Sequence, residues 1–273
     1  MKNRILYTFL SVLLFISCTE KPVIVPEFVA PISDRVILLE ELTGVRCPNC
    51  PAGSLKVEDL LQLFEGQIVA MAIHGDVLSE PLDESKYDFR SADAEELEHY
   101  LLPFWGKPAA AVNRIVSDGQ QAFLNPDTWS GYIEAELAKE HVLDIQLSTT
   151  YDESTRALTV NMGIIPLKDM SGTFNISLAI TESHIIDAQL NSTVVIPDFE
   201  HNHVFREMLT AVPGDFLASE LTKNEVINKS FSFTLPTDDD LWVAENCHVI
   251  GFVSLNEENS KEVLQAAQAE VVH

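Results

Sequence analysis

Basic residues are scarce: 17 Lys and Arg stand against 42 Asp and Glu in 273 residues, a net charge of −25. A surface of that sign repels phosphates, so nucleic acid is not an expected partner, and neither is anionic lipid held by a basic patch. Glycine is sparse as well, 11 residues, and none of it is arranged as a phosphate-cradling or dinucleotide loop. The cysteines are four, Cys18, Cys47, Cys50 and Cys247, too few for a disulfide-stapled scaffold. A second CxxC, a serine nucleophile motif and a paired-carboxylate signature are missing too, so no metal or other cofactor is expected. One long apolar run exists, Ile5 to Ile16. As a helix it spans about 18 Å, short of a bilayer core of about 30 Å.

What is present is 46% apolar residue content, enough for real cores, and a length that suggests two domains. Lys2 and Arg4 precede the apolar run, and Ser17-Cys18 follows it. A basic head, a short apolar body and a small residue read as a secretory signal over residues 1–17. Phe15-Ile16-Ser17-Cys18 resembles a bacterial lipobox, with Phe15 where Leu is usual. That resemblance implies a lipidated Cys18 and a protein held on its membrane by acyl chains. Pro22, Pro26 and Pro31 make residues 18–34 an extended tether.

Residues 35–141 read as an α/β unit. Apolar runs at Arg35–Leu42, Gln67–Ile73 and Ala109–Val112 are buried-strand candidates. Helical periods lie between and after them, at Val57/Leu60/Leu61/Phe64, Ala94/Leu97/Leu101 and Trp129/Ile133/Leu137. Cys47-Pro48-Asn49-Cys50 sits between the first strand and the first helix. A sulfur at a helix N-terminus, with Arg46 beside it, is placed to be a stabilised thiolate. Cys47 would then attack a substrate disulfide from an exposed helix start, and Cys50, one turn deeper, would resolve the mixed disulfide. A purely structural Cys47–Cys50 disulfide is the other reading. His74, at the end of the second strand, is a candidate to tune the thiolate.

From residue 142 to 273 the pattern changes to alternation with period two: Leu143/Ile145/Leu147, Leu158/Val160/Met162/Ile164, Phe174/Ile176/Leu178/Ile180 and Phe231/Phe233/Leu235. Val249 to Leu255 is nearly continuous. Strands of this length separated by turn signals read as an all-β, immunoglobulin-like sandwich. Asn202 to Phe216 is less regular and is expected to hold a short helix or a crossover. His201-Asn202-His203 and Asp238-Asp239-Asp240 lack the ligand spacing of a metal site. Cys247, before a buried run, reads as a small core residue.

The first unit resembles the thioredoxin superfamily, on Cys47-Pro48-Asn49-Cys50 after a strand, on Glu41 and on Gly106-Lys107-Pro108-Ala109. The resemblance implies a proton-shuttling role for Glu41 and a cis bond before Pro108, facing the CxxC. Arg46 stands where the family usually carries an aromatic, and Lys107 is an unusual residue before that proline. The whole layout resembles the outer-membrane-protein-28-related lipoproteins of Bacteroidetes-type bacteria. Its carriers are the lipobox, Leu38 through Pro51, Gly106-Lys107-Pro108, His201 through Arg206, and Lys261 through Ala266. It implies an outer-membrane lipoprotein with an α/β thioredoxin-like domain followed by the sandwich, and protein or peptide partners in the envelope or at the surface. Two functions stay open: an envelope thiol–disulfide oxidoreductase working through Cys47 and Cys50, and a non-enzymatic binding or adhesion lipoprotein that uses the fold as scaffold.

Overall fold

Ile37 to Leu42 are six consecutive buried residues and form strand β1 (Ile37–Leu42). A run without polar alternation is what a strand covered on both faces requires. The same holds for β2 (Ile68–Ile73) and β3 (Ala109–Val112). β1 pairs β2 in parallel and β3 antiparallel. Successive side chains point to opposite faces, so both faces need covering. Helices α1 (Cys50–Leu63) and α3 (Pro126–Leu137) bury Val57, Leu60, Trp129 and Ile133 against Ile37, Leu39, Ala110 and Val112. Helix α2 (Ala92–Tyr100) packs Ala94 and Leu97 against Leu38, Leu42, Val69 and Met71 on the opposite face. Ser91 caps α2 by accepting the Ala94 N–H at 3.1 Å, and Asn125 caps α3 by accepting that of Asp127 at 3.1 Å.

The computed structural model describes residues 35–237 and 241–272. The expected signal segment 1–17, the expected lipidated Cys18 with the stretch to residue 34, and Asp238-Asp239-Asp240 lie outside the described residues. Among the described residues no helix is long and apolar enough to cross a membrane.

The second half supplies β4 (Leu143–Asp152), β5 (Ala157–Pro166), β6 (Met170–Glu182), β7 (Ile185–Asn191), β8 (Val194–His201), β9 (Val204–Met208), β10 (Asp215–Leu221), β11 (Ile227–Thr234), β12 (Cys247–Leu255) and β13 (Val263–Glu270). Each period-two run lies on a strand. Asn202 to Phe216, expected as a short helix or crossover, instead contains β9 and the start of β10.

The expected fold class is corrected by the sheet. An α/β thioredoxin-like domain followed by its own immunoglobulin-like sandwich requires two sheets that end at the boundary. The described residues hold thirteen strands and three α-helices. One mixed eight-stranded sheet runs β13-β12-β6-β9-β2-β1-β3, with β10 also on β6. The physical reason is the outer edge of β2, which takes β9 in parallel. The Ala72 N–H donates to the His203 carbonyl at 2.7 Å, and β9 then pairs antiparallel with β6. The last strand also returns to the first: the Val36 N–H donates to the Gln265 side chain at 3.0 Å, and Val263 N–H to the Asn113 carbonyl at 2.9 Å. A separate antiparallel sheet, β11-β5-β4, covers part of one face. Its Leu158, Val160, Met162 and Ile164 share a core with Phe174, Ile176, Leu178, Val249 and Val253. Cys247 is a free thiol buried in that same core, and burial pushes it up to about 12.

Candidate functional site

Cys47 and Cys50 are joined as a disulfide. Helix α1 starts at Cys50, so Cys47 lies in the preceding turn, where its N–H donates to the Gly44 carbonyl at 3.0 Å. The expected exposed sulfur is not found. Cys47 is 0% exposed and Cys50 1%. The β7–β8 hairpin is bonded to this turn through its backbone groups. Leu190 N–H donates to the Val45 carbonyl and Ser192 N–H to the Pro48 carbonyl, both at 2.8 Å. The Gln189 side-chain amide donates to the carbonyls of Gly44 and Cys47 at 3.3 and 3.2 Å. Gln189 itself is buried. The Arg46 guanidinium donates to the carbonyls of Glu80 and Pro81, so it pins the loop after β2.

Pro108 follows a cis peptide bond, the isomer expected before it. It sits under α1 at Gly53, where an added Cβ would lie 2.6 Å from the Pro108 Cβ and 3.0 Å from the Glu41 Oε1. Only a residue without a side chain lets the helix approach so closely. Gly53→Ala is therefore expected to lose about 1–2 kcal/mol in urea unfolding, since overpacking outweighs the gain in helix propensity. An unchanged midpoint would show that α1 has room to move.

Glu41 is buried beneath the same turn of α1, with the Ser54 hydroxyl 3.2 and 3.4 Å from its two oxygens. Burial pushes its carboxyl up to about 8. Ser54 and Lys107 pull it back, and Glu58 adds to the rise. At neutral pH it is a protonated acid. Lys107 is buried too, and its Nζ donates to the Thr43 carbonyl at 2.7 Å, the Glu98 Oε2 at 2.8 Å and the Ser79 Oγ at 3.3 Å. This cation fixes the start of β3 to α2 and to the loop after β1.

His74 ends the strand run of β2 and is 2% exposed. Its ring stands edge-on to Phe89 at 5.0 Å and to His201 at 6.0 Å. Among the described residues neither ring nitrogen has a hydrogen-bond partner, although the Ala72 backbone lies close enough to favour the protonated ring slightly. Burial, then His201 and Lys107, hold its pKa well below the usual range, so the ring is neutral and carries no charge to lend a thiolate. Burial likewise brings His201 down to about 4.

Glu41 and His74 are brought together as lining of one pocket of about 260 Å³. The pocket lies between α1, β2 and the end of β8. Ala70, Ala72, Leu55, Val57 and Phe199 supply its apolar wall. At its rim Glu58 pairs with His203 at 3.3 Å, and Glu200 pairs with His184 at 2.6 Å. Neither cysteine lines it. His201 and His203 therefore face an aromatic cluster and a carboxylate, and among the described residues no group of metal-ligating side chains is assembled. The residues missed in the sequence are Gln189, Leu190, Ser192 and Phe199 of the hairpin. Its one local signal is Asn191-Ser192-Thr193, a polar turn between two apolar stretches.

The sequence pattern of the family described as "Outer membrane protein Omp28" matches residues 101–273. A search of curated proteins gives no match. Among solved structures, HBP35 of Porphyromonas gingivalis is similar with a TM-score of 0.68 at 13% identity, over 87% of this chain and 76% of that one. Protein AGR_C_4864 from Agrobacterium tumefaciens is similar with a TM-score of 0.51 at 11% identity, over 88% of this chain and 96% of that one. At these identities the likeness is one of fold.

Proposed function

The chain belongs to the outer membrane protein Omp28 family, and from that premise we propose an envelope lipoprotein, anchored by lipid on Cys18, that works by binding and uses Cys47–Cys50 as a structural brace. The observation that carries this reading is the burial of both sulfurs beside the β7–β8 hairpin. An attacking thiol must be reachable by its substrate, and reactive cysteines are partly exposed in electropositive surroundings. Here the neighbouring cation, Arg46, is bonded to carbonyls of the loop after β2. The anchor is supported by the place of Cys18, directly after Ser17 and the apolar run. Replacement of Cys18 by Ala is expected to move the protein from the membrane fraction to the soluble one.

One observation favours the oxidoreductase reading. Glu41, a buried acid with its pKa pushed up to about 8, is a group suited to proton transfer near neutral pH. The two readings part in a trapping experiment. An exchanging pair passes through a mixed disulfide, which Cys50→Ser leaves unresolved on Cys47. The binding reading predicts no trapped partner from Cys50→Ser and no reduction of insulin by the wild-type dithiol. A ladder of mixed disulfides that disappears in Cys47→Ser would replace it with the enzymatic reading.

A further inference from the structure

The pocket under α1 has three features that together specify an occupant. The first is size. About 260 Å³ exceeds the roughly 150 Å³ of a dry cavity that accepts benzene, so it admits one or two fused rings. The second is its wall. Ala70, Ala72, Val57 and Phe199 offer apolar contact and no hydrogen bonds from their side chains. The third is its polar lining. The His74 ring is buried with neither nitrogen in a well-formed hydrogen bond among the described residues, although the Ala72 backbone lies close to the ring, and His201 Nε2 is without a partner as well. Buried polar groups left unpaired cost stability unless something completes them.

Charge narrows the class further. Glu58 and Glu200 stand at the rim and oppose an entering anion. Around the His74 ring the field is of the other sign, because Lys107 and Arg206 both disfavour a positive charge there. Neither a carboxylate nor an ammonium suits both ends of such a pocket. An uncharged molecule with an apolar body and one polar group suits both.

We infer that this pocket is a binding site for a small uncharged aromatic alcohol or amine of the phenol or indole kind, whose O–H or N–H donates to the His74 ring while its rings fill the space beside Phe199 and Val57. This rests on the binding reading and names its ligand class. The ring nitrogen of neutral His74 that carries no proton is the acceptor; the apolar wall excludes water from the bond and so strengthens it.

The test is calorimetric titration of the oxidised, full-length protein at pH 7 with p-cresol and with indole, beside benzoate and benzylamine. One saturable site for p-cresol and indole is expected, with benzoate and benzylamine weaker by about tenfold or more. His74→Phe keeps a ring in place and removes the acceptor, and should weaken p-cresol by about tenfold. Ala72→Leu fills the apolar wall and should abolish binding. Circular dichroism and the unfolding midpoint establish that each variant is folded. Should either fail to fold, Leu55→Trp takes its place. Leu55 is 65% exposed at the rim, so a bulky residue there narrows the opening without touching the core and should slow or block p-cresol. Absence of p-cresol binding, or binding that survives the folded pocket variants unchanged, overturns the inference. Either result with Cys47–Cys50 still unreactive leaves the binding reading standing; a disulfide that exchanges removes that reading whatever the pocket holds.

Discussion

Replacing Lys107 by Met is expected to destabilise the protein by about 3–5 kcal/mol, a large part of the 5–15 kcal/mol that a domain normally has. Its side chain and that of Glu98 are 0% and 2% exposed. The pair holds together three segments that are remote in sequence, through Thr43, Ser79 and Glu98. Met preserves the length of the aliphatic stem, so the loss is that of the charge. Glu98 is then buried without its cation, with one oxygen on the Val77 N–H at 3.4 Å as its remaining hydrogen bond among those described. It must take up a proton or drag its loop into water. The close packing leaves little freedom for that, since a Cβ at Gly75 would already lie 2.0 Å from the Glu98 Oε2. The double variant Lys107→Met/Glu98→Met removes both charges and should recover most of the loss, because a buried ion pair contributes little net stability once its desolvation is counted. Urea unfolding of the two variants checks this. A loss under about 1 kcal/mol in the single variant would mean that the pair is not holding the loops.

Stability is also expected to fall as the solution is made alkaline, through Glu41. In the unfolded chain this carboxyl ionises near 4.5; in the folded chain burial holds the proton up to about 8. Between those values the folded state binds one more proton than the unfolded state, so stability decreases with rising pH. Its favourable contribution is complete below the unfolded value and is lost as pH climbs through about 8. His74 and His201 act in the opposite direction. Both are depressed from 6.5, so they weaken the fold as pH falls below that value. From pH 6.5 to 8 the Glu41 contribution falls by about 1.6 kcal/mol, while His74 and His201, half-protonated in the unfolded chain at 6.5, give back about 0.4 kcal/mol each, so the wild-type protein should lose about 1 kcal/mol net. Glu41→Gln keeps a neutral group of the same shape and should flatten that slope, leaving the variant the more stable of the two at pH 8.5. Parallel slopes for both proteins would show that Glu41 is ionised in the folded state.

Local chemistry made much of this molecule legible in the sequence. The apolar runs at Arg35–Leu42 and Gln67–Ile73 read as buried-strand candidates, and each contains a fully buried strand. The alternation at Leu158–Ile164 and Phe174–Ile180 announced strands with one face in a core. The helical periods at Val57/Leu60/Leu61/Phe64, Ala94/Leu97/Leu101 and Trp129/Ile133/Leu137 each fall on or at the end of a helix. The architecture was hidden because it is set by edges rather than by periods. A single parallel bridge at Ala72 and Val204 joins the two halves into one sheet, and one bridge leaves no periodic trace. The hairpin escaped for a related reason: β8 is mostly exposed or half-buried along its length, so it lacks the alternation that a buried face imposes. With the hairpin unseen, Cys47 read as a free helix-start sulfur. His74 and Glu41 are each legible alone, but no local pattern marks β8 as the strand that brings His201 and Phe199 to complete a pocket with them.

The rate at which a small dithiol reduces Cys47–Cys50 under native conditions bears most directly on the claim that this disulfide is a brace and not a reagent. Alkylation followed by mass measurement counts the reduced molecules over time. If the hairpin must open first, reduction proceeds only from the open fraction, and the native rate lies roughly a thousandfold below that in strong urea. Gln189→Leu, which deletes the amide on the Cys47 carbonyl, should raise the native rate while leaving the rate in urea unchanged. A native rate equal to that in urea, unaffected by Gln189→Leu, would mean that the sulfurs are open to attack, and the brace reading would fall.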